Sequence, residues 1–136
     1  MRLQGLTLHN AAVGDYTGHV RFLETGTMGS HVEGIGSGDA TCGEGATPIT
    51  RIDDAMERVS FIKMDLEGFE SRALSGAQGL IGSCRPRMAI TGYHYANDLL
   101  ELWTLLRRIA PDYSLRLRHH SSFYYDSIIY AQPRIA

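Results

Sequence analysis

Phe61-Ile62-Lys63-Met64-Asp65-Leu66-Glu67-Gly68-Phe69-Glu70 decides the fold, because an apolar run stops abruptly in three acidic side chains and a glycine. Successive side chains of a strand alternate faces, so Phe61, Lys63, Asp65 and Glu67 share one side and Ile62, Met64 and Leu66 the other. Both faces are apolar until Lys63, a pattern that predicts a strand covered by helices on both sides and hence a parallel sheet. Gly68 permits a tight turn, after which Phe69, Ala73, Ala77, Leu80 and Ile81 recur at the helical period. The unit predicted is strand, acidic loop, helix. In open α/β sheets, ligands sit at the carboxyl ends of such strands.

A second unit of the same type follows. Pro86 to His94 is an apolar strand ending in Tyr93 and His94, and Asn97 caps a helix whose Leu99, Leu102, Trp103, Leu106 and Ile109 line one face until Pro111 ends it. The last third changes character. Tyr113, Leu115, Leu117 and His119 alternate with polar residues, and Ser127 to Ala131 follows across a short loop, so this pair of strands is predicted antiparallel. Upstream, Leu6, Leu8 and the residues to Asp15 read as a short strand running into a turn. His19 to Leu23 and Pro48 to Ile52 read as an antiparallel ribbon. The fold class expected is α/β: parallel strands, an antiparallel C-terminal hairpin, and a β-ribbon with a glycine-rich insertion near the N-terminus.

The insertion holds Gly26, Gly29, Gly34, Gly36, Gly38, Gly43 and Gly45. Gly34-Ile35-Gly36-Ser37-Gly38 lacks the strand before it and the helix after it that a phosphate cradle requires, so it reads as a surface excursion or a lid over substrate. At 136 residues the chain is one domain, 1–136. A net charge of −2 draws no nucleic acid, and Arg107, Arg108, Arg116 and Arg118 read as a helix end and the wet face of a strand. No apolar run approaches the roughly 20 residues that span a bilayer, so no membrane association is expected. Cys42 and Cys84 lie far apart without ligand spacing, which predicts neither disulfide nor zinc site and makes the reducing cytoplasm the expected location.

Together these residues resemble the FkbM-type S-adenosylmethionine-dependent methyltransferases. The resemblance runs through Asn10 to Asp15, Phe61 to Gly68 with Glu70, Leu74 to Ala77, Tyr93-His94, and Leu117 to His120. It implies a partial class I methyltransferase sheet of the Rossmann-like kind, truncated at its N-terminus, with Asp65 and Glu67 at the active-site end of the fourth strand. Asn10 and Ala11 would end the third strand near the cofactor's adenine, with Asp65 also at the cofactor. Tyr93 and His94 would face the methyl acceptor from the fifth strand, with His119 or His120 on the sixth. The cofactor implied is S-adenosylmethionine, and the acceptor a hydroxyl on a sugar or other small metabolite. The family's glycine-rich turn after the first strand and the acid ending its second have no counterpart before Leu6, so weak cofactor binding by this chain alone is expected.

Methyl transfer requires in-line placement of the acceptor and removal of its proton, which makes Asp65, Glu67 and His94 the catalytic candidates. Other readings of the same residues stand beside this one. Asp65 could cap the following helix and Glu67 could pair with Lys63, the only lysine. Asp65, Glu67 and His94 could serve metal-assisted hydrolysis, although nothing in the spacing assigns a metal. A non-catalytic half that binds a partner chain is the remaining alternative. In the family's strand order Phe61 to Met64 would border an empty place, so a homodimer or partner chain is expected at that edge, or else Leu6 to Leu8 fold into it.

Overall fold

The computed structural model describes residues 5–23, 31–33 and 46–134. They build two four-stranded sheets. The first has the order β1-β4-β2-β3 and contains β1 (Ala12–Val13), β2 (Gly18–Leu23), β3 (His31–Glu33) and β4 (Ala46–Thr50). β2 and β4 form the expected antiparallel ribbon, with His19 opposite Pro48. The second has the order β5-β6-β8-β7 and contains β5 (Phe61–Met64), β6 (Arg87–Thr91), β7 (Tyr113–His119) and β8 (Ser127–Pro133). β5 and β6 run parallel with Ile62 opposite Met88, and β7 and β8 close the sheet as an antiparallel hairpin with Leu117 opposite Ile129.

One face of the second sheet carries the core. Ile62, Met64, Met88, Ile90, Ile129 and Ala131 meet helices α2 (Glu70–Ser75), α3 (Gln78–Cys84) and α4 (Asp98–Ile109) in a single buried cluster. Each large aliphatic side chain enclosed there contributes about 1.5–3 kcal/mol. The opposite face presents Phe61, Lys63, Arg87, Arg116 and Arg118 to solvent. The expectation of helices on both sides of β5 is therefore corrected: Ile62 and Met64 are buried, while Phe61 is 55% exposed. β5 is also an edge strand, paired among the described residues with β6 alone.

Other expectations change in detail. The single helix read over Phe69 to Ile81 is two, broken at Gly76 and Ala77, although Ala73, Ala77, Leu80 and Ile81 are all buried as the period required. On α4 the buried stripe is Leu102, Leu105 and Leu106, and Trp103 turns outward. Asn97 occupies the N-cap position without a capping side-chain bond; Asp98 instead accepts the Tyr95 amide at 2.7 Å. Leu6 and Leu8 form no strand and are exposed, since the parallel pairing with β4 belongs to Ala12 and Val13. All seven glycines of the glycine-dense insertion, from Gly26 to Gly45, and Cys42 lie outside the described residues.

The two sheets join at one tight seam. The Asp53 amide, in α1 (Ile52–Ala55), donates to the Gly76 carbonyl at 3.0 Å, and the Asp53 carboxylate accepts the Gly79 and Leu80 amides at 3.0 and 2.9 Å. It thereby caps α3 from a distant segment, where a negative charge complements the helix end. Arg72 pairs with Asp15 at 3.1 Å across the same seam. At Gly76 a Cβ would overlap the Gly14 carbonyl oxygen, whereas at Gly82, exposed in α3, it would meet nothing. Urea denaturation should show Gly76→Ala losing about 1–3 kcal/mol of stability and Gly82→Ala gaining about 0.5–1 kcal/mol. Equal effects at the two positions would mean the seam is not closed as described.

Candidate active site

Because β5 and β6 are parallel neighbours, their carboxyl ends deliver Asp65 and the residues after Thr91 to one place. The turn between β5 and α2 is sharp. Glu67 adopts the left-handed conformation at φ 54°, uncommon for a side-chain-bearing residue, and Gly68 follows at φ 92°. Tyr95 packs so closely over Gly68 that a side chain there would collide with its ring. This backbone carries the Glu67 carboxylate up beside His94.

The centre of the site is Glu70, which is 1% exposed. Its Oε1 accepts the Leu66 amide at 2.6 Å and the Thr91 hydroxyl at 3.1 Å. Thr91 Oγ1 also lies 3.2 Å from the Met64 carbonyl and 3.3 Å from Asp65 Oδ1. His94 Nε2 sits 3.5 Å from both Asp65 Oδ1 and Glu70 Oε1, and its Nδ1 is 3.4 Å from Glu67 Oε2. Its ring leans on Tyr93 at 4.3 Å between centroids. The Tyr93 hydroxyl donates to Asp65 Oδ1 at 3.3 Å. Burial, with the charge of Asp65 second, raises the Tyr93 pKa, so it remains a neutral donor at physiological pH. Lys63 Nζ lies 3.6 Å from Asp65 Oδ2.

A family model described as the methyltransferase FkbM domain matches residues 1–113. The chain belongs to the FkbM methyltransferase family. The crystal structure of a methyltransferase FkbM from Methylobacillus flagellatus KT is 31% identical, with a TM-score of 0.69 over 92% of this chain and 28% of that one. The chain thus spans about 28% of the length of that protein. No curated protein matches it.

In this FkbM domain the strand ends bring Asp65, Glu67, Tyr93 and His94 together. Asp65 does not cap α2, whose N-cap position is Phe69 without a capping side chain, and Lys63 turns to Asp65 rather than Glu67. Asn10 and Ala11 precede β1, so the expectation that they end a strand is corrected; Asn10 is exposed and Ala11 half-buried. His119 and His120, both exposed, engage elsewhere: His119 Nδ1 lies 2.9 Å from Ser127 Oγ and His120 Nε2 3.1 Å from the Tyr130 hydroxyl. A 350 Å³ pocket beside the cluster is lined by Gly68, Glu70, Tyr95, Asp98 and Glu101 among others. None of the described helices is long and apolar enough to cross a membrane.

Sequence reasoning gave no role to Glu70 or Thr91. The signal for Glu70 was present: it shares the buried stripe of Ala73, Leu74 and Ala77, where a carboxylate needs partners. Thr91 closes an apolar strand and offered no such sign. Removing the Glu70 carboxyl leaves the half-buried Leu66 amide without its acceptor, while the Thr91 hydroxyl can turn to the Met64 carbonyl. Glu70→Ala should therefore lower unfolding free energy by about 1–3 kcal/mol, while Glu70→Gln, which retains an acceptor oxygen, loses clearly less. Chemical denaturation of the two variants checks this, and equal losses would show that Glu70 does not hold Leu66 and Thr91.

Proposed function

We propose that this FkbM domain serves the transfer of a methyl group from S-adenosylmethionine to a hydroxyl on a sugar or other small metabolite. The observation that carries the reading is the convergence of two exposed carboxylates, Asp65 and Glu67, with an enclosed imidazole, His94, at the ends of two parallel strands. The donor set suits the cofactor: carboxylates with open oxygens complement a sulfonium cation, and Asp65 would meet it. When bound, S-adenosylmethionine supplies an electrophilic methyl carbon whose bond to sulfur breaks with the electron pair returning to sulfur.

The chain's own residues then have two tasks. The acceptor hydroxyl must be aligned, and its proton must pass to a nearby base as the new oxygen–carbon bond forms. Asp65 and Glu67, at 40% and 56% side-chain exposure, are open to an acceptor, whereas His94 at 9% is enclosed behind them. The carboxylates therefore take the proton, and His94 Nδ1 faces Glu67 from behind at 3.4 Å. Tyr93 would contact the acceptor, with His119 and His120 as further contacts along the sheet end. Asn10 and Ala11 would border the adenine. Among the described residues one edge of β5 has no neighbouring strand, and with Phe61 exposed beside it this supports pairing with a second copy of the chain or a partner segment there.

Asp65→Asn should lower the methyl-transfer rate by about 100-fold or more while leaving the melting temperature nearly unchanged. A variant that keeps its rate and loses melting temperature would make Asp65 a structural residue. For the β5 edge, light scattering should report a dimer; a monomer whose amides at Ile62 to Met64 exchange rapidly with solvent would leave that edge open.

A further inference from the structure

We propose that Asp65, Glu70 and His94 form a binding site for a divalent transition-metal cation of the zinc type. One ligand atom from each residue lies within 4.8 Å of the others. The two separations from His94 Nε2, to Asp65 Oδ1 and to Glu70 Oε1, are both 3.5 Å. A tetrahedral ion with bonds of about 2.1 Å has edges of about 3.4 Å, so these atoms already stand near coordination spacing.

The orphaned nitrogen is the independent sign. The His94 side chain is 9% exposed, and its Nε2 is buried without a hydrogen-bond partner. Its other nitrogen faces Glu67 Oε2 at 3.4 Å. A proton held on Nδ1 by Glu67 leaves the Nε2 lone pair directed at two carboxylate oxygens, a repulsive arrangement that a cation between them turns into attraction. A carboxylate behind a ligating histidine is also the usual means of fixing its tautomer and ring orientation. The hydrogen bonds from Leu66 and Thr91 fix the position of Glu70 Oε1 itself, the oxygen that faces His94 Nε2.

The mixture of imidazole and carboxylate donors favours zinc-like ions over magnesium or calcium, which prefer oxygen alone. Three protein ligands leave a position open, on the side where Asp65 meets solvent. The ion's part in methyl transfer rests on the reading above: an acceptor hydroxyl bound there would lose its proton more readily, to Glu67 or water, before its oxygen takes the methyl group. The ion's binding does not depend on that reading.

The test is a titration of chelator-treated protein with Co²⁺ and then Zn²⁺, with neither cofactor nor acceptor present. The expected result is one Co²⁺ per chain with tetrahedral-type visible absorption, displaced by Zn²⁺, and a raised melting temperature. His94→Gln and Asp65→Asn should each weaken Co²⁺ binding at least tenfold, and Glu67→Gln about tenfold. Absence of the visible bands in the unmodified protein, or bands and affinity unchanged in both ligand variants, would overturn the proposal. Because the readout involves no methyl transfer, either result leaves the methyltransferase reading to its own test.

Discussion

The site depends on one buried carboxylate. Enclosing Glu70 almost completely removes it from water, a heavy cost unless its oxygens find donors. It finds them in the Leu66 amide and the Thr91 hydroxyl. Those bonds tie the loop after β5 to the last residue of β6, and Glu70 itself begins α2, where a negative charge is favoured. Strand end, strand end and helix start are thereby fixed to one atom. The separation of Asp65 from His94 follows from that junction, because each lies within a few residues of a group that Glu70 holds.

The rest of the architecture is arranged around the same corner. With α2, α3 and α4 on a single face, the core is complete there while β5 keeps one side chain row in water. The first sheet does not supply a second covering layer to that row. It attaches at the seam of Gly14 and Gly76, with Asp53 capping α3 and Arg72 reaching Asp15. α2 thus carries load at both ends: its first residue organises the strand ends, and the glycine that closes it meets the neighbouring sheet.

Much of this was legible from local pattern. The alternation of Tyr113 to His119 against Ser127 to Ala131 specified the hairpin, and the acidic run after Met64 specified a strand end with chemistry. What failed was information that local pattern does not contain. Phe61 and Lys63 share a face, and whether that face is covered depends on helices elsewhere in the chain. The break at Gly76 arises from the approach of Gly14, a residue far away in sequence, so the apolar period ran through it unmarked. Leu6 and Leu8 looked like a strand by alternation, but strand pairing needs a neighbour, and β4 offers its partner atoms to Ala12 and Val13 instead. At the site, Asp65, Glu67 and His94 were readable because polar groups at strand ends are conspicuous. The sign of Glu70 lay in the helix pattern instead, as a carboxylate on the buried stripe of Ala73 and Leu74.

Burial divides the cluster into two shells with different duties. Glu70 and Thr91 are enclosed and bonded, so they have little freedom to respond to a ligand. Asp65 and Glu67 are open, and Glu67 stands on a left-handed backbone that its neighbours must maintain at a cost of about 1–3 kcal/mol. His94 lies between these shells, its ring tilted against Tyr93 and its nitrogens facing carboxylates of both. A histidine so placed couples them: any change in what its Nε2 meets on the enclosed side alters how firmly its Nδ1 holds Glu67 on the open side. The imidazole thus joins the Thr91 hydroxyl, which lies 3.1 Å from Glu70 Oε1 and 3.3 Å from Asp65 Oδ1, as a route by which an event at the buried end of the site reaches the carboxylates that an acceptor would touch.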